Sequence, residues 1–198
     1  MVDLKILTES KKIIKELFNE LNEKYPELWE KREIKEGTFL YETNKPIKKI
    51  FYCEAGISRV FIVDYEMNKE ITNGFFTQNE IIVPLFALTK NTPVFANFQV
   101  IEDSLMQEIT IENWKKIEKE EPNLVSKILF ETAIIMAIRL SQFQKYNSLY
   151  CNQFRHKILL QDHPFLNRVK KKFITSFLGF DPTTLSRNLS KPLKKRKK

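Results

Sequence analysis

The residues best placed for chemistry lie near the C-terminus, in the stretch Phe173 to Lys191, FITSFLGFDPTTLSRNLSK. Ile174, Phe177 and Leu178 share one face of a first short helix, and Gly179 supplies the left-handed residue that ends it. Asp181-Pro182 starts a second helix, with aspartate as N-cap and proline at the first helical position. Leu185 and Leu189 are one turn apart and pack back on the first helix. That spacing leaves Thr183, Thr184, Ser186 and Arg187 facing outward near the start of the second helix. A second helix that presents its early residues is the part that enters a major groove. Arginine there can donate two hydrogen bonds to guanine, and threonine can meet a base edge or a thymine methyl. Lys170, Lys171 and Lys172 precede the first helix, and Lys191 and the run from Lys194 to Lys198 follow. Their physical use is phosphate neutralisation, which makes double-stranded DNA the expected partner.

The charge distribution points the same way. The chain has 198 residues and a net charge of +8. Residues 155–198 hold 13 lysines and arginines against 2 acidic residues, while residues 1–154 hold 20 against 23. A mildly acidic body thus carries a strongly basic end. Only four glycines occur, Gly37, Gly56, Gly74 and Gly179, and no two are close enough for a P-loop or a dinucleotide fingerprint. Two cysteines, Cys53 and Cys151, and two histidines, His156 and His163, cannot assemble a zinc or iron–sulfur set. No nucleophile–base pattern or paired carboxylate motif occurs, so no catalytic residue, metal or cofactor is expected. Two free thiols, no apolar signal core and no membrane-length apolar run predict a cytoplasmic protein.

Periodicity supplies the elements that must position this segment. Residues 8–30 read as helix, with Ile13, Ile14, Leu17, Phe18 and Leu21 at helical spacing. Short β-branched and aromatic runs follow, predicting strands at 38–43, 47–53, 57–65, 69–76, 79–83, 94–101 and 104–110. Their number and spacing suggest a sandwich or barrel, with a mixed α+β sheet as the alternative. Residues 112–149 return to helix, with a boundary at Glu121-Pro122. The long helix carries two apolar stripes. One is Leu124, Ile128, Ile135 and Ile138, extended by Gln142; the other is Val125, Leu129, Met136, Leu140 and Phe143. A helix apolar on two sides needs two partners. One can be the β region, and the first stripe is assigned to the same helix of a second chain, giving a homodimer. Burial within one chain is the alternative.

An N-terminal helix, a small jelly roll, a long helix and a C-terminal helix–turn–helix together resemble the Crp–Fnr superfamily of bacterial transcription regulators. The resemblance covers residues 10–191 and is closest to a branch with a short C-terminal domain. Its most specific part is the L-G-x-x-P-x-T-L-S-R core at Leu178, Gly179, Pro182, Thr184, Leu185, Ser186 and Arg187. EGTFLYE (Glu36 to Glu42), Gly56 and IEDS (Ile101 to Ser104) fit the family's jelly roll. The resemblance implies an α+β fold in three parts: helix and roll over 1–111, dimerisation helix over 112–149, and a DNA-binding domain without a full wing over 150–198. It implies that Arg187 is the base-reading arginine. Thr183 stands where the family has glutamate, Thr175 where it has alanine or glycine, and Asn188 where it has a buried aliphatic. These departures support a second reading, a degenerate member that binds a ligand or protein without reading DNA.

The family's nucleotide-binding members carry a Gly-Glu pair and an arginine ten residues after the glutamate. Here Val83-Pro84 and Val94 stand at those positions. An apolar wall replaces the ribose and phosphate partners, so cyclic AMP is not expected to bind. Lys90 is a poor substitute for a bidentate fork. Phe76, Ile82, Leu85, Phe95 and Phe98, with Phe75 and Phe86, form an aromatic and aliphatic cluster. It is either core packing or the pocket of an apolar or small acidic effector.

Overall fold

The computed structural model describes residues 2–149 and 152–179. Helix α1 spans Val2–Lys24, starting earlier and ending sooner than the apolar pattern suggests. A 3-10 turn at Pro26–Leu28 leads into β1 (Glu30–Ile34), which sequence reading missed because EKREI shows no apolar alternation. β2 (Phe39–Tyr41), β3 (Lys49–Asp64), β4 (Lys69–Phe76), β5 (Glu80–Ile82), the short helix α2 (Leu85–Lys90) and β6 (Asn97–Thr110) complete the β region. Helices α3 (Ile111–Glu120) and α4 (Pro122–Leu149) follow, then α5 (Asn152–Asp162), a 3-10 segment (Pro164–Arg168) and α6 (Lys171–Leu178).

The fold is α+β, an antiparallel jelly roll with helices before and after it. The strand order β1-β6-β3-β4 is extended by β2 on β6 and β5 on β3. Runs expected as separate strands join: 47–53 with 57–65 as β3, and 94–101 with 104–110 as β6. Each long strand serves two neighbourhoods. The first half of β3 pairs β5 and the end of β6; the second half pairs β4 and the start of β6. The change of direction is made by register shifts between Cys53 and Ser58.

Gly56 sits in that bulge with φ +104°, and an added Cβ would lie 2.0 Å from Ser104 Oγ and 2.6 Å from its Cα. Both the backbone conformation and the close approach require glycine. Gly56→Ala is therefore expected to lower the unfolding free energy by about 2–5 kcal/mol. A urea titration checks this; a loss below about 1 kcal/mol would mean that the two long strands separate there at little cost.

Among the described residues, three apolar clusters hold the fold together. One joins α1, α3 and α4 to the back of the roll through Ile14, Phe18, Leu21, Trp114, Ile117 and Ile128. Phe18 stacks on Tyr52 with ring centroids 3.7 Å apart. A second fills the roll, with Tyr41, Phe51, Phe76, Ile82, Phe98 and Met106. The third seats the C-terminal helices on the roll, with Phe75, Tyr146, Leu166, Phe173, Ile174 and Phe177.

Local signals explain the helix boundaries. Thr110 caps α3 by accepting from the Asn113 N–H at 3.2 Å. Pro122 opens α4 at a position where its missing N–H costs nothing. Among the described residues, no helix is long and apolar enough to cross a membrane.

Candidate functional site

The long helix α4 organises the site, and the structure corrects the reading of its stripes. Leu124, Ile128, Ile135 and Gln142 are buried within the protomer, and Ile138 is partly buried on the same cluster. They cannot form the face offered to a second chain. The reason is α1: it runs the length of this stripe and places Leu7, Ile14, Phe18 and Leu21 against it. The exposed line is instead Phe130, Ala133, Ala137 and Leu140, spaced three, four and three residues apart, with Ala133 and Leu140 also at the edge of the cavity against the roll. Phe130 is 66% exposed and Leu140 60%.

A cavity of about 690 Å³ lies between α4 and the roll. Phe76, Leu85, Phe95 and Phe98 line it. Ile82 does not; it is fully buried inside the roll, packed in the cluster with Tyr41 and Phe51. Sequence reading missed Val60, Pro84, Met136, Arg139, Leu140 and Phe143 in the lining. Met136, Leu140 and Phe143 were visible as the second stripe of α4, but nothing in the sequence shows that this stripe faces the roll's mouth. Val83 and Val94 are buried, and Lys90 is exposed at the end of α2 and absent from the cavity wall.

Beside the cavity lies a buried ionic cluster. Glu80 is 1% exposed. One carboxylate oxygen accepts from Lys11 Nζ at 2.6 Å and from the Thr77 hydroxyl and N–H at 3.0 and 3.3 Å; the other is held by Arg139. Burial alone would raise the Glu80 carboxyl, but Arg139 and Lys11 outweigh it and hold the group below its ordinary value. The cluster ties α1, β5 and α4 together. Arg139 is shared between it and the cavity, with its guanidinium 4.6 Å above the Phe76 ring.

A void of about 40 Å³ continues from Glu80 and Arg139 to His163 and Tyr146. Burial pushes the His163 imidazole down to about 4, with Asp162 opposing and Arg139 and Lys11 assisting. The unfolded chain takes up that proton near pH 6.5, whereas the folded chain does so only near 4. The associated stability is full above pH 6.5 and is lost as pH falls toward 4, by about 2 kcal/mol between pH 6.5 and about 5. Urea midpoints for wild type and His163→Asn at pH 7.5, 6 and 5 check this. The wild type should lose more stability than the variant, and parallel curves would remove His163 from the account. Burial also lowers the His156 imidazole, so the variant comparison isolates His163.

The C-terminal helices dock on the outer strand of the roll. Gly179 caps α6 with φ 67°, as its position predicts. Ile174, Phe177 and Leu178 form one buried face, Phe177 packing on Phe75 at 5.5 Å. Buried Thr175 is satisfied by donating to the Lys172 carbonyl at 3.0 Å. Ser176 Oγ accepts from the Thr72 N–H at 2.9 Å and donates to the Glu70 carbonyl at 2.6 Å. Arg59, buried beneath, stands 4.0 Å from the ring centres of both Phe61 and Phe173. Lys170, Lys171 and Lys172 are exposed; Lys170 pairs with Glu36, and Lys172 lies 4.8 Å from the Phe173 ring centre. Thr183, Thr184, Ser186, Arg187, Asn188 and Lys191 lie outside the described residues, as does Cys151. Cys53 is a buried free thiol. Among the described residues, no three His, Cys, Asp or Glu side chains are grouped to hold a metal ion.

The fold is that of the Crp/Fnr transcription regulators. A structure from Eubacterium rectale described as a transcriptional regulator of the crp/fnr family matches with a TM-score of 0.70 and 17% identity, covering 87% of this chain and 84% of that one. The c-di-GMP responsive global regulator CLP of Xanthomonas campestris matches at TM-score 0.68 and 14% identity, covering 84% of this chain and 87% of that one. FixK2 of Bradyrhizobium japonicum matches at 0.67 and 13% identity, with 82% and 83% covered. No protein-family model and no curated protein sequence matches the chain.

Proposed function

We propose that the chain is a homodimeric, DNA-binding transcription regulator of the Crp/Fnr type, acting in the cytoplasm. The observation that carries this reading is the pairing of the fold with the charge distribution. The basic end, with 13 lysines and arginines against 2 acidic residues, contains the helix–turn–helix pattern, and it follows a sensor-like roll and long helix. In this reading residues 1–111 sense, 112–149 join two chains, and 150–198 read DNA. The dimer forms along Phe130, Ala133, Ala137 and Leu140, the α4 line that the protomer leaves outward. Thr183, Thr184, Ser186 and Arg187 meet base edges, while Lys170, Lys171, Lys172 and Lys191 meet phosphates. The cavity against α4 is the effector site. It does not take cyclic AMP, because Val83, Pro84 and Val94 offer neither the carboxylate nor the guanidinium that a cyclic phosphate and ribose require.

Fluorescence anisotropy on genomic fragments tests the reading. If each subunit neutralises about three phosphates, affinity falls with salt at a log–log slope near −5. Arg187→Ala should flatten the difference between a selected site and random DNA, by about 1–3 kcal/mol per half-site. Equal losses on both DNAs would make Arg187 a phosphate contact. A chain that binds no fragment would favour the ligand-binding member without DNA reading.

A further inference from the structure

We infer that the cavity against α4 takes a small amphipathic monoanion, an apolar body ending in a single carboxylate, with the carboxylate on Arg139. The inference rests on the effector reading of this cavity.

Size sets the first limit. A volume of about 690 Å³ suits one small molecule. The walls set the second. They are built from Val60, Phe76, Leu85, Phe98, Met136 and Phe143 among other apolar side chains, with Asn73 and Thr89 as the uncharged polar groups. Such walls offer only Asn73 and Thr89 to the hydroxyls of a sugar and nothing to a second charge, and burying unpaired polar groups is costly.

Arg139 sets the third limit, as the only charged side chain among the described residues of the wall. Its side chain is 18% exposed. It shares Glu80 with Lys11, so two cations converge on one buried carboxylate. Charge therefore favours one more anion, and the guanidinium has five N–H donors with which to receive it. A monoanion completes the balance, whereas a phosphate dianion brings a second charge, and a cyclic nucleotide, itself a monoanion, brings a sugar and a base with more polar groups than Asn73 and Thr89 can answer. The head site thus lies on the long helix, and the apolar body extends along the roll's mouth between Phe76, Phe98 and Leu85.

The full chain, without DNA, is titrated calorimetrically with sodium octanoate and with 1-octanol. Octanoate is expected to bind one per protomer, at least about tenfold tighter than octanol. Arg139→Gln should bring octanoate down to the level of octanol and leave octanol unchanged. Arg139→Lys should keep part of the preference. Thr89→Trp, an exposed substitution on the cavity wall, should weaken both ligands. Equal binding of the two ligands by wild type, no binding of octanoate, or an unchanged preference in Arg139→Gln would each overturn the inference. If Arg139→Gln does not fold, the wild-type preference and the Arg139→Lys result decide. Because no DNA is present, octanoate binding by a chain that recognises no DNA would sink the DNA reading alone. DNA binding by a chain indifferent to octanoate would sink the ligand assignment alone.

Discussion

Glu80→Ala should lower the unfolding free energy by about 3–5 kcal/mol, the usual cost of removing one partner from a buried ionic group. Glu80 is 1% exposed and answers Lys11 on α1 and Arg139 on α4. Its removal leaves two cations facing each other at a site that water reaches poorly, and it leaves the Thr77 hydroxyl without its acceptor. Glu80→Gln keeps most of the hydrogen bonding and removes only the charge, so its cost should be smaller, about 1–3 kcal/mol. Lys11→Met leaves Glu80 with Arg139 and should be the mildest of the three. The same carboxylate contributes to acid sensitivity. Its folded value lies below the ordinary one, so its stabilisation is present above the ordinary carboxylate range and is lost as pH falls through the folded value. That window lies below the one set by His163, and Glu80→Gln should flatten the lower window alone. Urea titrations read all three variants. A loss under about 1 kcal/mol for Glu80→Ala would show that Lys11 and Arg139 turn to solvent without penalty.

Under the proposed function, Phe130→Glu combined with Ala137→Glu should convert a dimer to a monomer and weaken specific DNA binding by about 100-fold or more. Both residues are exposed in the protomer, seven residues apart on α4, and neither lines the cavity. In a parallel pairing they would meet their own copies along the seam, where like charges repel. One chain then holds a single half-site, and the gain from linking two half-sites disappears. Light scattering measures the mass and anisotropy the DNA affinity. The double variant should still unfold cooperatively, since the substituted positions face outward in the protomer. Ile135→Glu is the contrasting case: it puts a charge into the core against α1 and should unfold the chain. A wild type that is monomeric, or a double variant that stays dimeric, would remove this seam.

Comparison of particular elements shows where sequence reasoning reaches. Gly179 ends α6 with a left-handed residue, and the apolar face Ile174, Phe177 and Leu178 is buried. Pro122 opens α4. These features were legible because caps, proline positions and helical periodicity act over a few neighbouring residues. The cavity wall was partly legible: Phe76, Leu85, Phe95 and Phe98 line it because aromatic runs in a roll must face either its interior or its mouth. Ile82 was misplaced because alternation along β5 cannot say which face is the interior until β5 is paired with β3.

The sequence by itself determined the class of fold, the basic C-terminal unit with its two-helix pattern, and the apolar character of the positions where a cyclic nucleotide would need charge. The basic end and its two-helix pattern follow from residue type and local spacing, while the class of fold and the nucleotide positions come through the family resemblance. Only the tertiary structure decided that α1 covers Leu124, Ile128 and Ile135 while Met136 and Phe143 of the other stripe face the roll, because the two stripes are equally apolar and their partners are set by packing. It alone assembled Lys11, Glu80 and Arg139, since Arg139 and Glu80 are 59 residues apart and an ion pair leaves no periodic trace in either segment. It alone placed Ser176 on β4, since a hydroxyl bonding a strand's free edge is specified by packing and not by spacing. Local structure is written in short-range preferences, whereas burial and charge pairing depend on chain segments that meet only after folding.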